Sequence, residues 1–464
     1  MKIRIQNIGT VFFIGLLCTA VLVLRYHVAR TTRYVSFDES VYFSMAQQVA
    51  QDWRNYTSRP YAEAFLKKFP SQESLPEYLF HPLYKHPPLF TFFNALALKL
   101  SLPLEFVPIG FSVLTVIVTY LLGALIFDKR IAIICALLLA ADPINALTSQ
   151  RLWPDTTMVF FMVSGVYFFI YALIKQKTLF YYLSAGLIGL ASLTKYPGLL
   201  PLGGIWIYAV IYDRPMLKTK IPLKITFITL FVFSTWLVWL WVVYGTSFIY
   251  QNFKINGLIF SSRTIPILAL CLIVNIYLIF YPYFKNKLEH AYLNHIRLSL
   301  LIRVFLLCGL IFCLKDYIVA IFSIYHVPNF FWKAPENYNP GRCFYFYQLS
   351  QYSPVFLFGL IALFWQNKRE HKLLSFIKIH IIIIILFFMV WGSQQSRYIL
   401  PAIPFLILLG VDLGRRIFPF FSHTNCLVIK KLGYFLLIIM IAVIIIKAIY
   451  INLTMSLTNA MFYY

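Results

Sequence analysis

The string Ser36-Phe-Asp38-Glu39-Ser-Val-Tyr42 sets two adjacent carboxylates ahead of a run in which Tyr42, Met45, Ala46, Val49 and Trp53 recur every three to four residues. That spacing predicts an amphipathic helix lying on a membrane surface, with both acids in its first turn. Ser36 with Glu39 fits a capping box, so capping alone accounts for the pair, yet an Asp fixed at a helix start is also a well-placed base. Lys85-His86-Pro87-Pro88 reads as a cationic clamp for a phosphate at the membrane surface; the plainer alternative is a proline-fixed turn with a snorkelling lysine. Arg151-Leu-Trp-Pro-Asp155, Lys195 and Arg397-Tyr398 each have a structural alternative as well, an Arg–Asp pair in the first case and an interfacial anchor in the others. Taken together they supply carboxylates and cations suited to binding an anionic lipid-linked donor and deprotonating an acceptor.

Composition sets the medium in which those residues must work. Of 464 residues, 61% are hydrophobic and 12% charged, against about 25% charged in an ordinary soluble domain. Thirteen spans of about 20 residues need about 260 apolar positions, and the chain has enough to supply them. A soluble enzyme, a nucleic-acid-binding module and a disordered chain are excluded. The net charge of +24 comes from basic residues that flank apolar segments, which indicates loop placement and contact with anionic lipid headgroups rather than nucleic acid. The seven cysteines include no Cys-x-x-Cys, so neither a disulfide framework nor a zinc site is implied.

Apolar runs are expected as spans at about 8–24, 107–127, 131–147, 156–174, 179–194, 198–212, 225–244, 264–284, 298–317, 353–365, 376–391, 398–412 and 432–450. Leu89–Leu102 is apolar but short, holds Asn94 and Lys99, and precedes Pro103, so it is expected to lie at the interface without spanning. With that choice, basic residues concentrate about threefold in one set of loops, including Lys129/Arg130, Arg214/Lys218/Lys220/Lys224 and Arg415/Arg416. By the positive-inside rule these are cytoplasmic, the N-terminus is inside, and the acids and cations named above fall outside. Were Leu89–Leu102 to span, the bias would reverse. The expectation is one all-α transmembrane domain over residues 1–464, with a first outer loop at 25–106 and an aromatic, lid-like outer loop at 325–352.

These motifs, in this order, resemble the polyprenol-phosphate-sugar glycosyltransferases of the GT-C fold. The resemblance rests on Asp38-Glu39-Ser-Val-Tyr42-x-x-x-Ala46, His86-Pro87-Pro88-Leu89, Arg151 with Asp155, Gly189-Leu-Ala-Ser-Leu-Thr-Lys195, and Arg397-Tyr398 with Pro401 and Pro404. It runs from about 34 to 405 and is closest to the aminoarabinose (lipid A) transferases and protein O-mannosyltransferases. It implies a GT-C fold of about thirteen spans with interfacial helices in the first outer loop. It also implies Asp38 as the catalytic aspartate, accepting the acceptor's proton, with Glu39 as its acidic neighbour, Lys85 or His86 at the donor phosphate, and Asp155, Arg151 and Lys195 as further site positions. Arg397, Tyr398 and Arg342 are expected to help neutralise the departing phosphate. No divalent ion is obligatory, since side chains can do this, and none is indicated by the residues.

The implied activity is transfer of a sugar from a polyprenyl-phosphate donor to an acceptor hydroxyl or phosphate, with inversion, on the extracytoplasmic face of a bacterial plasma membrane. The acceptor is a lipid-linked, glycan or protein group. A transporter or flippase of lipid-linked sugars is the rival reading, but it would place charges near the bilayer midplane, whereas here they gather at span ends. A non-catalytic membrane subunit is the third, and it would have no need of Asp38.

Overall fold

The computed structural model describes residues 2–31, 36–68, 77–80, 82, 86–245, 354–364, 372–390, 395–422 and 446. The chain divides into two compact units, 1–243 with 331–464, and 244–330; all but the first two residues of the second lie outside the described residues. The expected spans at 264–284, 298–317 and 432–450, the loop 325–352, and the candidates Lys85 and Arg342 also lie outside them, apart from Ile446.

Among the described residues the elements are helical. They are α1 (Lys2–Thr31), α2 (Phe37–Gln51), α3 (Arg59–Lys68), α4 (Leu89–Lys99), α5 (Phe106–Ile126), α6 (Lys129–Ala141), α7 (Pro143–Ser149) and α8 (Asp155–Lys175). After them come α9 (Thr178–Thr194), α10 (Leu200–Ile211), α11 (Arg214–Lys218), α12 (Ile221–Tyr244), α13 (Pro354–Phe364), α14 (Lys372–Val390) and α15 (Ile403–Ser422). Short 3₁₀ turns at Tyr196–Leu199 and Ser396–Ala402 lead into α10 and α15.

Five helices among the described residues are long and apolar enough to cross a bilayer, six if the bent pair α6–α7 counts as one. A helix such as α5, with 21 residues, is about 31 Å long, the thickness of the hydrocarbon core. At 11 residues, α4 reaches only about 16 Å and cannot cross alone, in keeping with an interfacial role for this segment. The chain is an integral membrane protein.

Helix packing follows membrane rules, in which small residues admit close approach and hydroxyls bond across helices. Ser184 Oγ of α9 donates to Gly165 O of α8 at 2.7 Å, and Thr229 Oγ1 of α12 donates to Ala185 O of α9 at 2.9 Å. A Cβ on Gly359 of α13 would lie 2.5 Å from the Leu406 carbonyl oxygen of α15, so only glycine permits that contact. The expected span at 131–147 is bent by 55° between α6 and α7. The cause is local: Pro143 cannot donate to the α6 ladder, and Asp142 caps the new helix by accepting from Asn145 N at 2.7 Å.

One buried charge stitches this bend to its neighbours. The first apolar run ends at Leu24 in the sequence, but α1 continues to Thr31 and carries Arg25 inside, 2% exposed. Arg25 donates from Nη1 to Ser112 Oγ of α5 and from Nη2 to Ala140 O of α6 at 2.9 Å. Ser112 Oγ donates in turn to Asn145 Oδ1 at 2.9 Å, and Arg25 feels the charge of buried Asp142. Taking the guanidinium away leaves the acceptors at Ser112 and Ala140 without their buried donor. Arg25→Met is expected to destabilise by about 1–3 kcal/mol. Arg30→Met, which breaks only an exposed 3.4 Å pair with Glu105, should cost less than about 1 kcal/mol. Thermal unfolding of the two purified variants in one detergent tests the contrast.

Candidate active site

The site begins with the start of α2. Ser36 caps the helix, its Oγ accepting from Glu39 N at 3.4 Å while Glu39 Oε2 accepts from Ser36 N at 2.7 Å, so the capping box expected from the sequence is present. This cap fixes Asp38 in the first turn and Tyr42 one turn later on the same side. Glu39 has more to do than cap. It is 8% exposed; its Oε1 accepts from Leu152 N at 3.0 Å, and its Oε2 lies 3.5 Å from Arg151 Nη1. Trp153 Nε1 donates to Ser36 Oγ at 3.1 Å. The start of α2 is thereby clamped to the loop that precedes α8.

Asp38 projects from this clamp toward the turn before α15. Arg397 Nη2 donates to Asp38 Oδ2 at 2.5 Å. The Arg397 side chain is 6% exposed and that of Asp38 46%. Burial works against the Asp38 charge, but the neighbouring Arg397, with His86 and Lys195 behind it, outweighs burial and holds the carboxyl below its usual range. The Arg397 guanidinium sits 4.0 Å from the centroid of the Trp153 ring and 5.4 Å from that of Tyr398. Such stacking suits a planar cation in a desolvated place.

A second buried pair lies alongside. Lys195, where α9 ends, donates from Nζ to Asp155 Oδ1 at 2.7 Å and stands 4.3 Å from the Tyr398 ring centroid. Asp155 is 1% exposed, and its Oδ2 has no hydrogen-bond partner. Its charge also acts on Arg397. On the other flank, Tyr42 Oη and His86 Nδ1 are 2.9 Å apart, and burial pushes the Tyr42 phenol well above its ordinary range, so it keeps its proton. The His86-Pro87-Pro88 strap is held by Tyr56, whose Oη donates toward His86 O at 3.1 Å and Pro87 O at 3.3 Å, beneath the stacked rings of Trp236 and Trp239.

The structure therefore brings together Asp38, Glu39, His86, Arg151, Asp155, Lys195, Arg397 and Tyr398, residues spread over 360 positions of sequence. Trp153 and Tyr56 were not singled out by sequence. Trp153 stands inside the Arg151–Asp155 motif, where its position between two charges was the only signal; Tyr56 gave none. Among the described residues no group of three or more His, Cys, Asp or Glu side chains is placed to hold a metal.

Residues 85–239, about one third of the chain, match the family described as dolichyl-phosphate-mannose-protein mannosyltransferase. Among solved structures, ArnT from Cupriavidus metallidurans in the apo state superposes with a TM-score of 0.57 at 14% identity, over 97% of this chain and 76% of that one. The same protein bound to undecaprenyl phosphate gives 0.55 at 14% identity, over 96% and 75%. The apo oligosaccharyltransferase of Archaeoglobus fulgidus gives 0.57 at 14% identity, over 94% of this chain and 56% of that one. No curated protein matches by sequence. The fold is that of the GT-C membrane glycosyltransferases.

Each of the two neighbouring acids holds a buried arginine in place. Glu39→Gln removes the charge that Ser36 N, Leu152 N and Arg151 share, and is expected to lower stability by about 1–3 kcal/mol. Asp38→Asn takes the hydrogen-bonded carboxylate from the buried Arg397 guanidinium, which keeps only the charge of Asp155 nearby, and is expected to cost about 1.5–3 kcal/mol. Thermal unfolding in detergent reads both.

Proposed function

We propose that this chain transfers a sugar from a polyprenyl-phosphate donor to an acceptor hydroxyl, with inversion at the anomeric carbon, on the extracytoplasmic side of a bacterial plasma membrane. The observation that carries the reading is the Asp38–Arg397 pair, a half-exposed carboxylate beside a buried guanidinium at one cluster of helix ends. The match to the mannosyltransferase family and the fold shared with ArnT, a protein seen with undecaprenyl phosphate, support the donor class. The bias of basic residues toward the opposite loops supports the orientation.

In the proposed step the acceptor oxygen attacks the anomeric carbon and its proton passes to Asp38 Oδ. The bond from that carbon to the phosphate oxygen breaks, and its electron pair leaves on the polyprenyl phosphate. Arg397 and His86 are assigned to stabilise that charge, and by the sequence resemblance Lys85 and Arg342 are further cations for the same task. Tyr398 serves as part of the Arg397 platform. Glu39 and Arg151 act through the position of Asp38, and Asp155 with Lys195 braces Arg397 from behind. A base has work to do only when the nucleophile must lose a proton, so a hydroxyl acceptor fits better than a phosphate, which is already ionised. Whether that hydroxyl belongs to a lipid-linked group, a glycan or a protein is for the acceptor assay to decide.

The test is transfer from radiolabelled polyprenyl-phosphate sugars to extracted envelope acceptors by purified protein in nanodiscs. Asp38→Asn is expected to lower the rate by about 10²–10⁴-fold while donor binding persists; equal rates would remove Asp38 as base. The pH dependence has a fixed sign. Asp38 must be ionised, and its carboxyl is held below the ordinary value of about 3.9. The acid limb of kcat/KM should therefore lie below pH of about 4, with activity retained above it. The same pair contributes stability that is complete above the unfolded value and lost as pH falls through the depressed one.

A further inference from the structure

The Asp38–Arg397 pair contains a conflict. The proposed reaction asks Arg397 to hold a phosphate and Asp38 to accept a proton, yet the two are joined at 2.5 Å. A carboxylate bound so closely to a guanidinium is a weak base. We infer that Asp38 and the donor phosphate compete for Arg397, so that seating the phosphate draws the guanidinium off Asp38 and releases the base. This inference rests on the glycosyltransferase reading above.

Three observations carry it. The guanidinium is bound to faces, not locked by a fork of acceptors: Trp153 lies at 4.0 Å and Tyr398 at 5.4 Å from its carbon. A flat cation pivoting in its own plane keeps those stacking contacts while its N–H groups change partner. Next, Arg397 Nε is buried with no hydrogen-bond partner, so an arriving anion would fill a donor now unsatisfied. Finally, the two carboxylates that act on Arg397 differ in how firmly they are held. Asp155 is 1% exposed and engaged by Lys195 at 2.7 Å, whereas Asp38 is half-exposed and open to exchange.

Trp153 is the positioning residue in this scheme. Its ring carries the guanidinium, while its Nε1 is tied to Ser36 Oγ, the cap of the helix that bears Asp38. Platform and base are thus one unit, against which Arg397 moves. The consequence is ordering: the base is held by its cation until a phosphate is present, and so is not offered to an acceptor before the donor has arrived.

Binding of undecaprenyl phosphate to the purified protein in nanodiscs, with undecaprenol as control, tests the competition directly. Asp38→Asn removes the competitor and should tighten binding by on the order of tenfold. In the Arg397→Gln background the same Asp38→Asn change should alter binding by less than about twofold, since the contested cation is gone. Trp153→Leu should shrink the tightening and Trp153→Phe, which keeps a ring face, should restore it. Asp38→Ala gives the same comparison if Asp38→Asn fails to fold. Unchanged or weaker binding by the Asp38 variants overturns the inference. So does equal tightening in the Arg397→Gln background, which would mark a general loss of negative charge. A wild-type protein that binds the lipid phosphate no better than the alcohol defeats the donor reading itself, and this inference with it.

Discussion

A guanidinium buried at one cluster of helix ends is the constraint around which this site is built. Arg397 is 6% exposed, and a charge taken that far out of water is tolerated only where countercharge and hydrogen-bond acceptors meet it. Two carboxylates from different helices supply the countercharge, and two aromatic faces supply the bed. Everything that fixes those four groups follows from this need. The cap at Ser36 sets Asp38, the link from Glu39 to Leu152 sets the loop that carries Trp153, and Lys195 sets Asp155. Tyr398 offers its ring to both cations and is stacked on Phe388 of α14 with ring centroids 5.6 Å apart.

The same logic recurs in Arg25, buried among α1, α5 and the α6–α7 bend. Each buried arginine joins helices that hydrophobic packing alone would leave free to slide, because lipid tails give no drive for one apolar face to choose another. Polar ties therefore set register in this bundle, and apolar surface fills the space between them. The short α7, which starts at the bend, packs against the turn holding Arg397, so the two networks share an element.

Much of this was legible in the sequence. The charged residues were visible because charge is rare in so apolar a chain, and the capping box at Ser36 and Glu39 was readable because its spacing is local. The shortness of 89–102 and its Asn94 and Lys99 marked it as non-spanning. What the sequence hid was partnership over long range. Nothing local tells that Asp38 meets Arg397 and Glu39 meets the Arg151 loop, since both are formed by helix packing. Arg25 escaped because a basic residue after an apolar run looks like a loop start, and only the fold reveals that α1 carries it inward. Trp153 and Tyr56 were lost among the many aromatics of the chain, where residue type no longer discriminates.

The ion pairs of the site also differ in how far apart their members lie along the chain. Lys195 follows Asp155 by 40 residues, Arg151 follows Glu39 by 112, and Arg397 follows Asp38 by 359. A chain inserted from its N-terminus thus completes the bracing pairs early, while the acid at the centre of the site waits for a cation that lies 359 residues further on. Biogenesis runs in the same order as the charge pairing. Any nascent product that stops short of residue 397 carries Asp38 without the guanidinium that pairs with it.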